Sequence, residues 1–158
     1  MSKRNIKIIF SFLVVVGMLA FFYFLSLKNL NQEENFQLSE IKQVEIAGKI
    51  LRVELALTSE EWEKGLSSRE NLAENEGMLF IFPKDGKYYF WMKEMNFPID
   101  IIWLDKNFKV IYIEKNAQPD SYPETFGPDL ASQYVLEVSA GFSEKNNLGE
   151  QDFVEFLP

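Results

Sequence analysis

A run of 20 residues without a charged side chain, Ile8–Leu27, constrains this chain more than any other feature of its sequence. At about 1.5 Å per residue, a helix of that length covers roughly 30 Å, the thickness of a bilayer hydrocarbon core. Lys3, Arg4 and Lys7 precede the run, and no acidic residue does. Because a positive flank stays in the cytoplasm, the sequence predicts a cytoplasmic tail at 1–7, a single-pass anchor at 8–27 and a C-terminal domain beyond the cell membrane, periplasmic or on the cell surface.

Two other interpretations of the apolar run are open. A cleaved signal peptide has a shorter apolar region, roughly 7–15 residues, followed by small residues at the cleavage site. Here Ala20 is followed by four aromatic residues, Phe21–Phe24. A buried core helix normally carries a polar face, which this run lacks. The uncleaved anchor therefore accounts best for the run.

The charge balance reverses after the anchor. The 130 residues that follow Lys28 hold 12 basic and 24 acidic side chains, a net charge of −12. A surface of that sign repels polyanions, so we expect no nucleic-acid partner. The chain also contains no His and no Cys. This excludes a Ser-His-Asp triad, a cysteine nucleophile, disulfides and metal sites built from imidazole or thiolate.

Oxygen ligands alone would suit Ca²⁺ or Mg²⁺. The step from Asp105 to Asn107 is similar to a fragment of a calcium loop, but the rest of that loop is missing. A hairpin turn accounts for these residues. We therefore expect no metal site and no cofactor.

After a polar stalk at 28–41, alternating apolar residues and turn residues predict a domain of short strands at 42–158. Turns are predicted at Ala47–Lys49 and at Pro83–Gly86, where the sequence Pro-Lys-Asp-Gly is typical of a chain reversal. The predicted strands are 44–46, 50–57, 78–82, 88–93, 99–104, 108–113, 134–138 and 153–157. This pattern predicts a mainly β (α+β) fold: a compact antiparallel β-barrel or strongly curved sheet with one short helix.

The short helix is predicted from a capping box, in which Thr58 begins the helix and Glu61 follows three residues later. Trp62 and Leu66 form its apolar stripe. In contrast, the segment 117–132 contains three prolines and a glycine, which predicts a long loop without regular structure. Such loops are often functional or mobile, so this loop is a candidate rim for a binding site.

Several short motifs occur together in one order along the domain. They are G-L-x-x-R at Gly65–Arg69, G-M-L-F at Gly77–Phe80, F-W-M-K at Phe90–Lys93, P-I-D-I at Pro98–Ile101 and V-L-E at Val135–Glu137. In this combination the chain resembles the domain-of-unknown-function family 192 (DUF192) over about residues 43–158. It departs from the family at Ser67, where Met is frequent, and at Glu94–Met95, where Asn-Thr is common. The resemblance implies a small β-rich, often exported domain, and it implies no reaction.

Two carboxylates are candidates for chemistry because they lie in apolar strands. Alternation places Asp100 on one face with Ile102, and Glu137 on one face with Val135. A buried carboxylate must be paired, hydrogen-bonded or protonated. Arg69 is the natural bidentate partner. Three interpretations of these residues are open: a structural ion pair with Arg69, the polar floor of a ligand pocket, or a pair of carboxyl groups for acid–base catalysis of the glycosidase type.

Aromatic residues offer a second kind of site. Tyr88, Trp91, Phe97, Tyr122 and Phe126 could form a stacking platform for a sugar ring or an apolar groove, although core packing explains most of the aromatic residues.

These features give three hypotheses of function. The leading one is a non-enzymatic, membrane-anchored binding module for a small polar or carbohydrate-like molecule, or for an envelope protein. The residues expected to hold the ligand are Arg69, Trp91, Asp100, Tyr122, Phe126 and Glu137. The alternatives are a hydrolase of envelope glycans that uses Asp100 and Glu137, and a structural or assembly protein of the envelope.

Overall fold

Nine short strands form the framework of the residues that the computed structural model describes, which are Met18 and 38–158. The strands are β1 (Gln43–Ile46), β2 (Lys49–Ala56), β3 (Glu76–Gly86), β4 (Phe90–Trp91), β5 (Ile99–Leu104), β6 (Val110–Ala117), β7 (Thr125–Phe126), β8 (Ser132–Ser139) and β9 (Val154–Leu157). The helices are α1 (Ser59–Lys64) and α2 (Phe142–Lys145), and 3-10 turns lie at Leu38–Glu40 and Pro119–Ser121.

Seven of these strands form one sheet in the order β6-β5-β8-β3-β2-β1-β9, and β4 pairs with β7 in a separate ribbon. Neighbouring strands are antiparallel except β2 and β3, which are parallel. A parallel pair needs a crossover connection, and α1 lies in that connection. The helix α1 is therefore part of the crossover connection between the parallel strands β2 and β3.

The sheet curls until its two outer strands meet at one end. Lys109 and Phe153 form an isolated antiparallel bridge between the segments that lead into β6 and β9. The Val154 amide donates to the Phe108 carbonyl at 2.9 Å, and the Val110 amide donates to the Asp152 carbonyl at 2.8 Å. The result is a curled half-barrel with a few short helices, which confirms the expected mainly β, strongly curved sheet.

Both faces of the sheet are buried, because alternate residues of the central strands pack into two separate clusters. We call these the Trp103 face and the Ile102 face. The Trp103 face includes Phe80, Ile101, Trp103 and Val135. The Ile102 face includes Leu79, Ile102, Leu104 and Leu136. This burial on both faces agrees with the sequences of β5, in which five of six positions are apolar, and of the β8 segment Tyr134–Val138, in which four of five are.

Two local predictions are wrong. The predicted turn at Pro83–Gly86 is part of β3, where the register with β8 shifts between Ile81 and Gly86. A proline is tolerated there because an irregular stretch does not need its missing amide for the ladder. The predicted loop 117–132 contains the two-residue strand β7 and one 3-10 turn, although the rest is irregular.

The capping box is confirmed. The Glu61 amide donates to Thr58 Oγ1 at 3.3 Å, and the Thr58 amide donates to Glu61 Oε2 at 2.9 Å. The hydrogen bond from the Leu57 amide, followed by that from Thr58, lowers the pKa of Glu61. The helix ends at Lys64, so Leu66 follows it as a buried residue instead of lying within it.

The predicted tail at 1–7 and anchor at 8–27 lie outside the described residues, apart from Met18. Within the residues that are described, no helix combines the length and the hydropathy that a membrane span requires. The compact unit begins at Leu38, and Ile41, at the end of the predicted stalk, is 2% exposed. The last residues of that stalk therefore fold with the domain.

Candidate functional site

A cavity of about 240 Å³ opens on the Trp103 face, beside α1 and β4. Half of its lining residues are aromatic, and they come from α1, the loop after it, β3, β8, and β4 with the residues on either side of it. The lining residues are Trp62, Glu63, Lys64, Gly65, Leu66, Ser67, Phe80, Phe82, Tyr88, Tyr89, Phe90, Trp91, Met95 and Glu137. We call this cavity the aromatic pocket.

The aromatic walls are fixed by ring-to-ring contacts. Phe82 and Tyr88 stack with centroids 3.6 Å apart and planes 8° apart. Phe90 meets Phe80 edge-to-face at 4.8 Å, and Trp62 covers Phe82 at 4.9 Å. Such geometries stabilise aromatic pairs beyond the area they bury, so the walls are preformed.

Glu137 forms the polar part of the pocket floor. Its cross-strand neighbours are Met78 and Ile101, both apolar, and its side chain is 4% exposed. Among the described residues, Glu137 Oε2 has no hydrogen-bond partner. Burial raises the pKa of Glu137 to about 8, and the charge of Arg69 offsets only part of that rise. At neutral pH the group is therefore a carboxylic acid, which both donates and accepts a hydrogen bond.

Gly65 keeps the space above Glu137 open. A Cβ at this position would lie 3.7 Å from Glu137 Oε2 and 3.3 Å from Phe80 Cζ. The backbone of Gly65 has φ of 48°, a left-handed conformation that glycine adopts without steric cost. The residue that ends α1 is thus also the residue that leaves room at the carboxyl.

Arg69 does not pair with either of the buried carboxylates, contrary to expectation. Its two terminal nitrogens donate to the two oxygens of Glu54 on β2, at 2.6 and 2.7 Å. This bidentate contact lowers the pKa of Glu54 and raises that of Arg69. Because both groups are partly exposed, we assign the pair no more than about 1 kcal/mol of stability. Its role is to tie the loop after α1 to the sheet.

Asp100 lies on the opposite face of the sheet from Glu137. It pairs with Val138 across β8, whereas Ile101 pairs with Glu137, and neighbours along a strand face opposite ways. Asp100 is fully buried and accepts the amides of Asn116 and Gly141 at Oδ1, at 2.9 and 3.1 Å, and that of Ser143 at Oδ2, at 2.8 Å. The proposed carboxylate pair is therefore not assembled, and Asp100 holds chain segments together.

The three predicted aromatic site residues lie near one another but differ in role. Trp91 lines the aromatic pocket and is 42% exposed. Tyr122 contacts Trp91 edge-to-face at 6.5 Å, and Phe126 pairs with Phe90 in the β4–β7 ribbon. Neither Tyr122 nor Phe126 lines the pocket itself. The 117–132 loop therefore contacts β4 through Tyr122 and Phe126, and none of its residues lines the pocket.

Several pocket residues were not predicted as a site. Phe80 and Phe82 share the face of Glu137, since Met78 pairs with Glu137 and alternate residues of β3 face the same way. Period-two alternation along Met78–Phe82 is the signal that places these rings beside the carboxyl. No local signal in the sequence identifies Gly65 as a pocket residue, because its proximity to Glu137 arises only from the fold.

Among the residues that the structure describes, no group of three or more acidic side chains is placed to hold a metal ion. The Asp105 carboxylate instead accepts the amides of Asn107 and Lys109 at 2.8 and 3.0 Å. These bonds close the β5–β6 hairpin turn, as the sequence indicated.

The described residues form a small curled half-barrel in which the short helix α1 lines the aromatic pocket. The family model DUF192, described as an uncharacterized ACR, matches residues 42–156. The chain belongs to this family, as its motifs predicted. Those motifs contribute Gly65, Phe80, Phe90, Trp91 and Glu137 to the pocket.

Two solved structures share this fold. One, from Sinorhizobium meliloti 1021, is named as a candidate transcription regulator; it is 28% identical with a TM-score of 0.68, and the match covers 72% of this chain and 90% of the other. A protein of unknown function from Novosphingobium aromaticivorans is 33% identical with a TM-score of 0.67, and the match covers 73% of this chain and 84% of the other. Among curated proteins, none matches this chain.

The substitution Asp100→Asn tests the structural role of Asp100. The amide keeps one acceptor oxygen but directs an NH₂ group at backbone donors, so we expect a loss of about 2 kcal/mol or more of unfolding free energy. Urea unfolding of the full chain in a non-ionic detergent measures this, because all three tryptophans, Trp62, Trp91 and Trp103, lie in the domain. Asp120→Asn, at an exposed position, should change stability by less than about 0.5 kcal/mol. Equal stabilities for the two variants would contradict the assignment.

The substitution Glu137→Gln tests the buried acid through pH. The folded chain keeps the Glu137 proton up to a pKa of about 8, whereas the unfolded chain releases it near 4.5. Since the folded state binds the extra proton between these values, the stability of the parent falls as pH rises through this window and is flat above it. The variant lacks this loss, so its advantage should grow to as much as about 5 kcal/mol by pH 8.

Urea unfolding at pH 5, 6.5 and 8 measures that advantage. The matched control is Glu144→Gln, an exposed glutamate, whose stability should run parallel to that of the parent. If the stability of the Glu137→Gln variant has the same pH dependence as that of the parent, Glu137 is ionised in the folded chain.

Proposed function

We propose that this chain is a non-enzymatic binding module, tethered to the cell membrane by residues 8–27, that holds a small polar ligand in the aromatic pocket outside the cytoplasm. The observation that carries the proposal is the Glu137 carboxyl, buried in an apolar wall with Oε2 unpartnered among the described residues. Leaving a buried polar group without a partner costs roughly 1–3 kcal/mol, and a fold that needed only packing would have an apolar side chain there. A ligand that hydrogen-bonds this carboxyl offsets the cost.

The dimensions of the pocket favour a small molecule over a protein segment. A cavity of about 240 Å³ suits one ring or a short chain, and aromatic walls with one buried polar group are typical of ligand sites. The exposed pair of Trp91 and Tyr122 beside it supports the stacking of a flat ring, including that of a sugar. An envelope protein would instead have to dock on this exposed pair.

The geometry gives no support to the glycan hydrolase. That reaction needs two carboxyl groups in one open cleft, roughly 5–10 Å apart. Asp100 and Glu137 are on opposite faces of the sheet, and Asp100 is saturated by backbone donors.

The ligand site is tested by thermal unfolding of the full chain in detergent against a panel of sugars, polyols, amines, carboxylic acids and divalent cations. We expect at least one organic class to stabilise the parent, since a ligand at 100 times its Kd adds about 2.7 kcal/mol. Trp91→Ala removes part of the wall and should weaken that binding at least about fivefold. Phe153→Ala removes an aromatic residue that is 67% exposed and does not line the pocket, and should bind as the parent does. If no organic class stabilises the chain, it has no small-molecule site here.

The proposed topology is tested separately with alkaline phosphatase fused to the C-terminus, an enzyme that is active only outside the cytoplasm. The uncharged run at 8–27 and its basic flank support an active fusion that stays in the membrane pellet after alkaline extraction. Val14→Arg with Val15→Arg introduces two charges at the centre of the run and should abolish both results. Ser2→Arg adds a charge on the cytoplasmic side and should change neither. A parent chain found in the soluble cytosolic fraction would overturn this topology.

A further inference from the structure

The polar groups that line the aromatic pocket are largely committed to the protein itself. Trp62 Nε1 donates to the Ala56 carbonyl at 2.9 Å, Ser67 Oγ donates to the Lys93 carbonyl at 2.8 Å, and the Tyr88 hydroxyl donates to the Lys84 carbonyl at 2.7 Å. Among the described residues this leaves Glu137 as the buried lining side chain with an open hydrogen-bond position. A sugar that entered fully would leave most of its hydroxyl groups without hydrogen-bond partners, which disfavours its binding. The interior therefore suits a ligand with one polar group on an apolar body.

The sign of that polar group follows from the charges around Glu137. Arg69 is near enough for its charge to affect Glu137, but both of its terminal nitrogens are bonded to Glu54. Within the described residues, no cationic side chain forms a salt bridge with Glu137. An isolated carboxylate in an apolar wall is costly, and a hydrogen-bonding cation beside it offsets much of that cost. A ligand with a positively charged group that carries N–H donors would pair with the Glu137 carboxylate.

The walls also favour a cation. Aromatic ring faces carry partial negative charge and attract ammonium groups within about 6 Å of the centroid. Trp91 already attracts one ammonium group, since Lys93 Nζ, which does not line the pocket, lies 5.9 Å from the centroid of the Trp91 ring. The net charge of −12 after Lys28 raises the concentration of cations near the surface.

We propose that the aromatic pocket binds a small primary or secondary ammonium ion, with its N–H groups on the Glu137 carboxylate and its apolar part between the aromatic rings. This inference rests on the proposed function. Binding is an exchange of charge: as the ammonium ion enters, the Glu137 carboxyl releases its O–H proton to solvent, and no bond in the ligand changes. One cation bound therefore releases one proton.

The other charged and titratable groups around the pocket do not produce the same pH dependence. Arg69 stays charged from pH 6 to 8, because the bond to Glu54 raises its pKa, and Tyr88 stays neutral, because burial raises its pKa. Glu63 and Lys64 of α1 also line the pocket but are exposed to solvent.

Titration calorimetry of the full chain in detergent with matched probes tests the proposal. The pairs are benzylamine against benzyl alcohol and n-butylamine against n-butanol, which differ in charge but hardly in shape, and glucose is the polyhydroxyl probe. We expect each amine to bind at least tenfold tighter than its alcohol at pH 8. The affinity for the amine should rise close to tenfold from pH 6 to 7 and level off near 8, with one proton released to the buffer, because deprotonation of Glu137 accompanies binding.

The variant Glu137→Gln keeps the shape of the side chain without its charge. It should lose at least tenfold in affinity for the amines and change the affinity for the alcohols less than threefold, while Glu144→Gln should bind as the parent does. The proposal is overturned if the alcohols or glucose bind as tightly as the amines, or if the amine affinity does not rise with pH. Either result leaves the proposed function standing: the first implies a neutral ligand, and the second implies a ligand that binds without deprotonating Glu137. If none of the five probes binds, and the broader panel is also negative, both proposals fail.

Discussion

A sheet that is buried on both faces gives a polar side chain no access to water, and this constraint governs the whole domain. β5 and β8 are adjacent interior strands of this sheet, and each carries one carboxylate into an apolar layer. The two are accommodated in opposite ways. Asp100 is surrounded by three backbone amides and unites the end of β6 with the start of α2, whereas Glu137 faces a cavity and keeps its proton. The Asp100 contacts and the cavity beside Glu137 thus lie on opposite faces of the sheet.

Much of the fold follows from local patterns. The bounds of β5, the capping box of α1 and the turn at Asp105 were predictable because each depends on residues adjacent in the chain. The run Pro83–Gly86 was mistaken for a reversal because its composition favours a turn, and only the neighbouring strands show that β3 continues through it. The pairing of β2 with β3 also joins distant segments, so periodicity alone does not reveal it.

The site was predictable in part for the same reason. Alternation placed Glu137 on an apolar face and led to its selection, and Trp91 was selected as an exposed ring. The assignment of Arg69 to a buried carboxylate was wrong because Arg69 pairs with Glu54, a partly exposed residue on β2. The register with which β5 pairs with β8 places Asp100 and Glu137 on opposite faces of the sheet. The spacing of residues in the sequence does not reveal that register.

The contact between the two outer strands has a consequence for solubility. Unpaired backbone groups along a sheet edge invite the edge of another copy, and this is a common route to aggregation. In this domain the bridge between Lys109 and Phe153 uses one end of both edges within the same molecule. Charged side chains lie along the remaining lengths, at Glu114 and Lys115 on β6 and at Glu155 on β9, and charges on an edge strand disfavour pairing with another chain. The curl that shapes the domain therefore also leaves less free strand edge for another copy to pair with.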